Sequence, residues 1–328
     1  MDLAEPFTIA TKTWTTATNV FVRVGHDGVE GLGEVAPDDR FGESPADVAR
    51  TVEAADLGRL ASPFDLETVG ELLPAGAARS ALDIALHDLA AKLAGISLAE
   101  LLGVGGRNAP PTSVTVPIAE PDHMIERARN LAGHPVLKVK VGFEGDVDFV
   151  RRLRAVYDGT IRIDANEGWR PDEAIERLRS LEALGIELCE QPIERGCHDE
   201  LRRVTEATAI PVFADEDACT SSDVAALTGV VDGVNLKLRK TGGIREAVRA
   251  VGVARAGNLK VMLGCDLTSG VAATAEASIA SLVDHADVDG PLLLAIDPYP
   301  GVSYDLGRMT LPPGPGLGIA SGDSGGLV

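Results

Sequence analysis

A chain of 328 residues, 45% of them apolar, can bury a large core in one barrel with an appended domain, or in two ordinary domains. Its net charge of −20 argues against nucleic acid as a partner, since phosphate binding needs a basic face. No apolar run approaches the ~20 residues that span a bilayer, and the start MDLAEPFTIATKTW has neither the basic nor the apolar stretch of a secretory leader. A soluble cytoplasmic protein with no membrane contact is the expectation.

The first hundred residues differ in kind from the rest. TNVFVRVGHDGVEGLGEVAP reads as two strands about a His-Asp-Gly turn, hence an antiparallel hairpin. SPADVARTVEAADLGRL and ARSALDIALHDLAAKLAGISLAELLG carry apolar residues at helical spacing. Turn-forming residues crowd GVGGRNAPP, Gly103 to Pro111, which sets a boundary and makes residues 1–105 a small α+β capping domain.

From Thr112 strand and helix signals alternate. SVTVPI, VLKVKVG, TIRIDAN, IELCEQP, PVFADE, GVNLKL and KVMLGCD are each followed by a helical pattern, and PLLL or a nearby segment is expected to supply an eighth strand. Many of the helices open with Asp, Ser or Pro in their first turn, as N-terminal capping favours. Repeated βα units with short loops predict a parallel sheet closed into a (β/α)7β TIM-like barrel over residues 106–300. A doubly wound open sheet is the alternative, but no GxGxxG follows the first strand. Residues 301–328, rich in Gly and Pro, form a C-terminal segment expected to pack back toward the capping domain, with a disordered SGDSGG end. Cys189, Cys197, Cys219 and Cys265 form no CxxC pair and read as reduced, mostly buried thiols.

Three acids end apolar runs at even spacing: Asp164, Glu190 and Asp215, separated by 26 and 25 positions. Lys140 precedes the first by 24 positions and Lys237 follows the last by 22. On neighbouring barrel strands all five side chains gather at the C-terminal mouth, where active sites of this architecture lie. Taken singly, each acid just after a strand equally suits a helix N-cap. Three carboxylates together suit Mg²⁺ or Mn²⁺ rather than zinc. In LKVK, Lys138 and Lys140 project to the same side. One is expected to screen a substrate carboxylate, and the other to act as base with a lowered pKa. Lys237 stands about four strands away, so two bases face each other across a metal-bound substrate. That is the arrangement a 1,1-proton transfer beside a carboxylate needs, with the metal stabilising the enediolate. A non-catalytic metal-binding barrel acting through oligomer contacts would need neither lysine.

LKVKVG, DANEGW, EQPI, ADED and NLKLRKTGGI, in this order and with RFGES near the start, resemble the enolase superfamily, in its muconate-lactonizing-enzyme-like subgroup. Such sites combine Lys or His bases with Mg²⁺. The resemblance implies Lys140 and Lys237 as acid/base pair and Asp164, Glu190 and Asp215 as Mg²⁺ ligands, with Asn166 and Glu216 in support. It implies substrate contact for Thr115, Lys138 and Cys265. Asp287 and Asp289 in DVDGP point the same way on an extended segment and resemble the aspartate pair by which dipeptide epimerases hold a free α-ammonium. The expected activity is therefore a homo-oligomeric dipeptide epimerase acting on a small-molecule dipeptide. N-succinylamino acid racemase or o-succinylbenzoate synthase activity on the same site is the alternative. Asp266 stands where Ala-Glu enzymes tend to carry Met, and is expected to favour a cationic side chain. Lys12 falls where those enzymes place an arginine that meets an acidic one. The two leave side-chain preference open between Ala-Glu-like and cationic dipeptides.

Overall fold

The computed structural model describes residues 1–319. The SGDSGG end lies outside the described residues.

The N-terminal part opens with β1 (Asp2–Thr8) and β2 (Thr13–Thr16), an antiparallel pair with an irregular register. Sequence patterning misses this pair because only Leu3 of β1 is buried, so period-two alternation is absent. The expected hairpin is present as β3 (Val20–His26) and β4 (Val29–Val35), paired from Val20↔Val35 to His26↔Val29. Its two-residue turn, Asp27 at φ 48° and Gly28 at φ 78°, has the left-handed conformations that match strand twist. Ser44 caps the helix Pro45–Glu53 by accepting from the Asp47 N–H.

β4 lies against the helix Ala77–Ala94, which is buried nearly all round. The approach is close because β4 carries glycine where it crosses the helix. A Cβ at Gly33 would stand 2.1 Å from the Ala81 carbonyl oxygen and 2.8 Å from the Ala85 nitrogen. Gly33→Ala is therefore expected to destabilise the fold by about 1–3 kcal/mol through overpacking. A lowered urea midpoint at constant m-value checks this.

The barrel follows as β5 (Val114–Val116), β6 (Val136–Lys140), β7 (Thr160–Asp164), β8 (Ile186–Glu190), β9 (Val212–Ala214), β10 (Gly233–Leu236), β11 (Lys260–Gly264) and β12 (His285–Asp287). They form one parallel sheet in sequence order. Ser113 N–H donates to the Ala286 carbonyl at 3.0 Å, and Thr112 bridges Ala286, joining the first strand to the last. The eighth strand is thus HAD; PLLL folds into a 3₁₀ turn, Gly290–Leu293, because Pro291 lacks the N–H that a ladder needs. Outer helices present an apolar stripe to the sheet, as Phe149, Val150 and Leu153 do in Asp146–Arg154. The architecture is a (β/α)7β barrel with an N-terminal α+β domain. A last hairpin, β13 (Ser303–Asp305) and β14 (Arg308–Thr310), precedes a segment in which Gly316 exchanges backbone hydrogen bonds with Ile96 and Leu98.

Buried carboxylates join the N-terminal domain to the barrel. Glu34 of β4 accepts from Ser269 N–H (2.8 Å), Ser269 Oγ (2.6 Å) and Ala272 N–H (3.1 Å), at the positive end of the helix Gly270–Ile279. Asp83 accepts from Ile244 N–H at 2.7 Å, at the start of the helix Ile244–Ala256. All four cysteines are free; Cys189 alone is fully buried and the others are partly exposed, because they sit in loops or at a strand end. Among the described residues no helix is long and apolar enough to cross a membrane.

Candidate active site

A cavity of ≈ 400 Å³ opens between the N-terminal domain and the C-terminal ends of the barrel strands. Strand alternation turns Lys138 and Lys140 of β6 to the barrel interior, beside Asp164, Glu190 and Asp215 at or just past the ends of β7, β8 and β9. Lys140 Nζ lies 2.6 Å from Asp164 Oδ2. Lys237, immediately after β10, places Nζ 3.0 Å from Asp215 Oδ2. Lys140 and Lys237 both line the cavity, from strands four apart in the sheet.

Burial alone raises Asp164, but the Lys140 and Lys138 ammonium groups outweigh it and hold the acid at about 2. Asp215 is likewise held well below the usual carboxylate range against burial, by Lys237 and Lys240. Glu190 goes the other way, to about 8, through burial and the neighbouring Asp164 charge. The crowding by cations that would lower a lysine pKa is not what surrounds Lys138 and Lys237. Burial acts in that direction, but Asp287, Glu190 and Asp164 hold Lys138 well above its ordinary value, and Asp215 and Asp266 raise Lys237. The neighbours of these lysines are mainly anions.

Among the described residues no three carboxyl, imidazole or thiol groups converge into a ready metal cage. Lys138 lies among these acids, its Nζ 3.1 Å from Asp164 Oδ2, 2.7 Å from Glu190 Oε2 and 2.7 Å from Asp287 Oδ2. The donors nevertheless fit a hard divalent cation. All are carboxylates at the ends of adjacent strands, and the buried Glu216 Oε2 beside them lacks a hydrogen-bond donor. Asn166 N–H donates to Asp164 Oδ1 (2.9 Å) and Asn166 Nδ2 to Glu216 Oε1 (3.3 Å), which ties these two residues to the carboxylate group.

Asp287 and Asp289 also line the cavity, both almost fully buried. Asp287 accepts from Ser113 Oγ at 2.6 Å and Lys138 Nζ at 2.7 Å. Asp289 Oδ2 accepts from the Thr115 backbone N–H at 2.7 Å, and Cys265 Sγ lies 3.6 Å from its Oδ1. Burial and the Asp287 charge push Asp289 up to about 6. Thr115 is therefore placed by its main chain against Asp289, and Lys138 is engaged by carboxylates instead of standing free for a substrate anion.

Two expected recognition charges are already paired. Asp266 faces the cavity, but Arg239 Nε reaches its Oδ2 at 3.0 Å and Nη2 its Oδ1 at 3.4 Å. It is thus no unpaired anion waiting for a basic side chain. Lys12 Nζ lies 2.6 Å from Asp39 Oδ1, at the exposed rim beside Trp14. Sequence reasoning missed Arg239, Lys240 and Asn235. Lys240 Nζ donates to Asp215 Oδ1 at 2.6 Å, and Asn235 Nδ2 to Glu190 Oε1 at 2.7 Å. Period two from Lys237 back to Asn235 is the signal that would have found the asparagine.

Residues 1–103 match the model of the mandelate racemase/muconate lactonizing enzyme N-terminal domain, and residues 123–323 match the enolase C-terminal domain-like model. An L-Ala-D/L-Glu epimerase from Bacteroides thetaiotaomicron is 36% identical, over 97% of this chain and 85% of its own. The structure of a dipeptide epimerase from Cytophaga hutchinsonii, complexed with Mg and D-Ala-L-Val, superposes with a TM-score of 0.92 at 34% identity, covering 99% of this chain and 94% of that one. An N-succinyl Arg/Lys racemase from Bacillus cereus has a TM-score of 0.91 at 28% identity, covering 97% and 92%. On both domain matches and on identity along its whole length, the chain belongs to the mandelate racemase/muconate lactonizing enzyme family of the enolase superfamily.

Proposed function

We propose that this protein is a magnesium-dependent dipeptide epimerase that inverts the α-carbon of the substrate's C-terminal residue. The observation that carries the reading is one cavity holding Lys140 and Lys237 on strands four apart, together with the buried aspartate pair Asp287 and Asp289.

Asp164, Glu190 and Asp215 would hold the cation, which when bound supplies positive charge to the substrate carboxylate. The protein's own part is proton traffic and orientation. One lysine, as the neutral amine, takes the α-proton and becomes the ammonium. The lysine opposite gives a proton to the other face and becomes the amine, so the substrate's composition is unchanged. Asp287 and Asp289 anchor the free α-ammonium, and Ser113 and the Thr115 N–H orient them from below. An N-succinylated substrate has no ammonium, and two carboxylates would repel it. Side-chain class, Ala-Glu-like or cationic, turns on Lys12 and Asp266, each of which must exchange an existing partner for a substrate. We also infer a cytoplasmic homo-oligomer, consistent with the free thiols and with the exposure of Leu292 and Ile296.

Incubating a library of L,L-dipeptides with the enzyme and Mg²⁺ in D₂O is expected to give α-deuterium in the C-terminal residue together with L,D product. No exchange across the library would sink the assignment.

A further inference from the structure

Arg239 is a buried cation outside the group of residues given chemical roles above. Its side chain is 2% exposed, and three carboxylates from two segments share it. Asp266 beyond β11 is held by Nε at 3.0 Å, Glu43 by Nη1 at 3.3 Å, and Asp38 lies 3.7 Å from Nη2. The guanidinium also stands 4.5 Å from the Phe41 ring centroid. Asp38, Phe41 and Glu43 belong to the N-terminal domain's loop over the cavity, and Glu43 is itself fixed by Ala77 N–H at 2.8 Å. Removing such a cluster from water is costly, and a buried ion pair is weak evidence for stability. What a planar, forked guanidinium provides beyond an apolar side chain of similar size is direction.

That direction bears on Lys237. Arg239 lies two residues on, within the single turn Leu238–Thr241 that begins at Lys237. The turn is held on the barrel side by Lys240, which reaches Asp215. On the other side it is held by Arg79, which donates to the Thr241 and Gly242 carbonyls at 2.6 and 3.0 Å, and by Arg239. Lys140 has a different seat. It ends a strand paired on both sides, Lys140↔Asp164 on one of them, and no residue of the Arg239 cluster contacts its side chain.

We propose that Arg239 is a positioning residue for Lys237 and not for Lys140, locking the Lys237 turn to Asp266 and to the Asp38–Glu43 loop. The inference rests on the two-lysine epimerase reading and goes beyond it by making the two bases unequal in their dependence on the N-terminal domain.

The test is α-hydrogen exchange in D₂O, followed separately for each epimer of one turned-over dipeptide. The epimer whose α-hydrogen faces Lys140 exchanges through Lys140, and the other through Lys237. In Arg239→Met, exchange of the Lys237-facing epimer is expected to fall by about a hundredfold, the order of loss that ~1 Å of misplacement causes. Exchange of the Lys140-facing epimer stays within about threefold of wild type, too small a change for a lost general base. Arg239→Lys, which keeps the charge without the fork, is expected to show the same asymmetry. Arg239→Met combined with Asp266→Met removes the carboxylate nearest the lost guanidinium, one of the three it strands; should the single variant not fold, this pair is measured and the same asymmetry is expected. Equal losses for both epimers, or no loss for either, overturn the assignment while leaving the epimerase reading intact. A wild-type enzyme that exchanges neither epimer of any dipeptide overturns both.

Discussion

Lys140→Ala is expected to slow epimerisation by about 10²–10⁴-fold, the range that a positioned general acid or base contributes. The ammonium lies 2.6 Å from Asp164 Oδ2 and faces the cavity, with the Phe7 ring centroid 5.8 Å away. No other lysine can take its place, because Lys138 one pleat below is already shared by Asp164, Glu190 and Asp287. The loss is expected in kcat, with KM changed little, because proton transfer is made only in the transition state. Isotope exchange sharpens the result. The variant should still exchange the α-hydrogen of the epimer that faces Lys237, yet return it without inversion, and Lys237→Ala should do the reverse. Inversion at near wild-type rate by either variant, measured by chiral chromatography, would remove the two-lysine mechanism.

Asp289→Asn is the second large effect. Asp289 is buried, receives the Thr115 N–H at 2.7 Å and has burial and Asp287 pushing it up to about 6. Asp287 has the Lys138 ammonium, and a cationic amine from the substrate is the partner that would serve Asp289. Asparagine keeps the shape and the acceptor for Thr115 but removes the charge, so the variant isolates charge recognition. Losing one partner of a buried charge pair costs about 2–5 kcal/mol, which is roughly 30- to 4000-fold in kcat/KM at 1.4 kcal/mol per tenfold. The comparison that decides is a dipeptide against its N-succinyl or N-acetyl analogue. A dipeptide epimerase loses activity on the free amine alone. An enzyme for N-acylated substrates would be indifferent to the change, and that outcome would transfer the assignment to the racemase alternative.

Much of this molecule was legible in its sequence because the barrel is a periodic object. Seven βα repeats, each an apolar run followed by a helical pattern, announce themselves locally, and the acids stand out because charge at the end of an apolar strand is rarely tolerated without use. What escaped depends on partners far along the chain. Asp266 looked like a free anion because Arg239, its counter-ion, lies 27 residues away, and Glu43, which completes the cluster, 196 residues from Arg239. Lys12 looked like a reader of side chains because Asp39 sits on another loop. Strand alternation shows which residues face inward, but not that the inward-facing neighbours of Lys138 and Lys237 are mainly carboxylates. The irregular β1–β2 pair and the strand HAD carried too little apolar periodicity to be read at all.

The cavity has two walls of different origin. The strand ends carry every group given a part in moving protons or holding charge, whereas Phe7, Lys12, Trp14 and Asp39 come from loops and strands of the N-terminal domain. Single substitutions in the second wall can alter which side chains are admitted without disturbing the first. Substrate range is therefore free to drift in small heritable steps while the chemistry stays constant. That freedom ends where the walls are riveted together, at Arg40 with Glu216 and at Arg239 with Glu43.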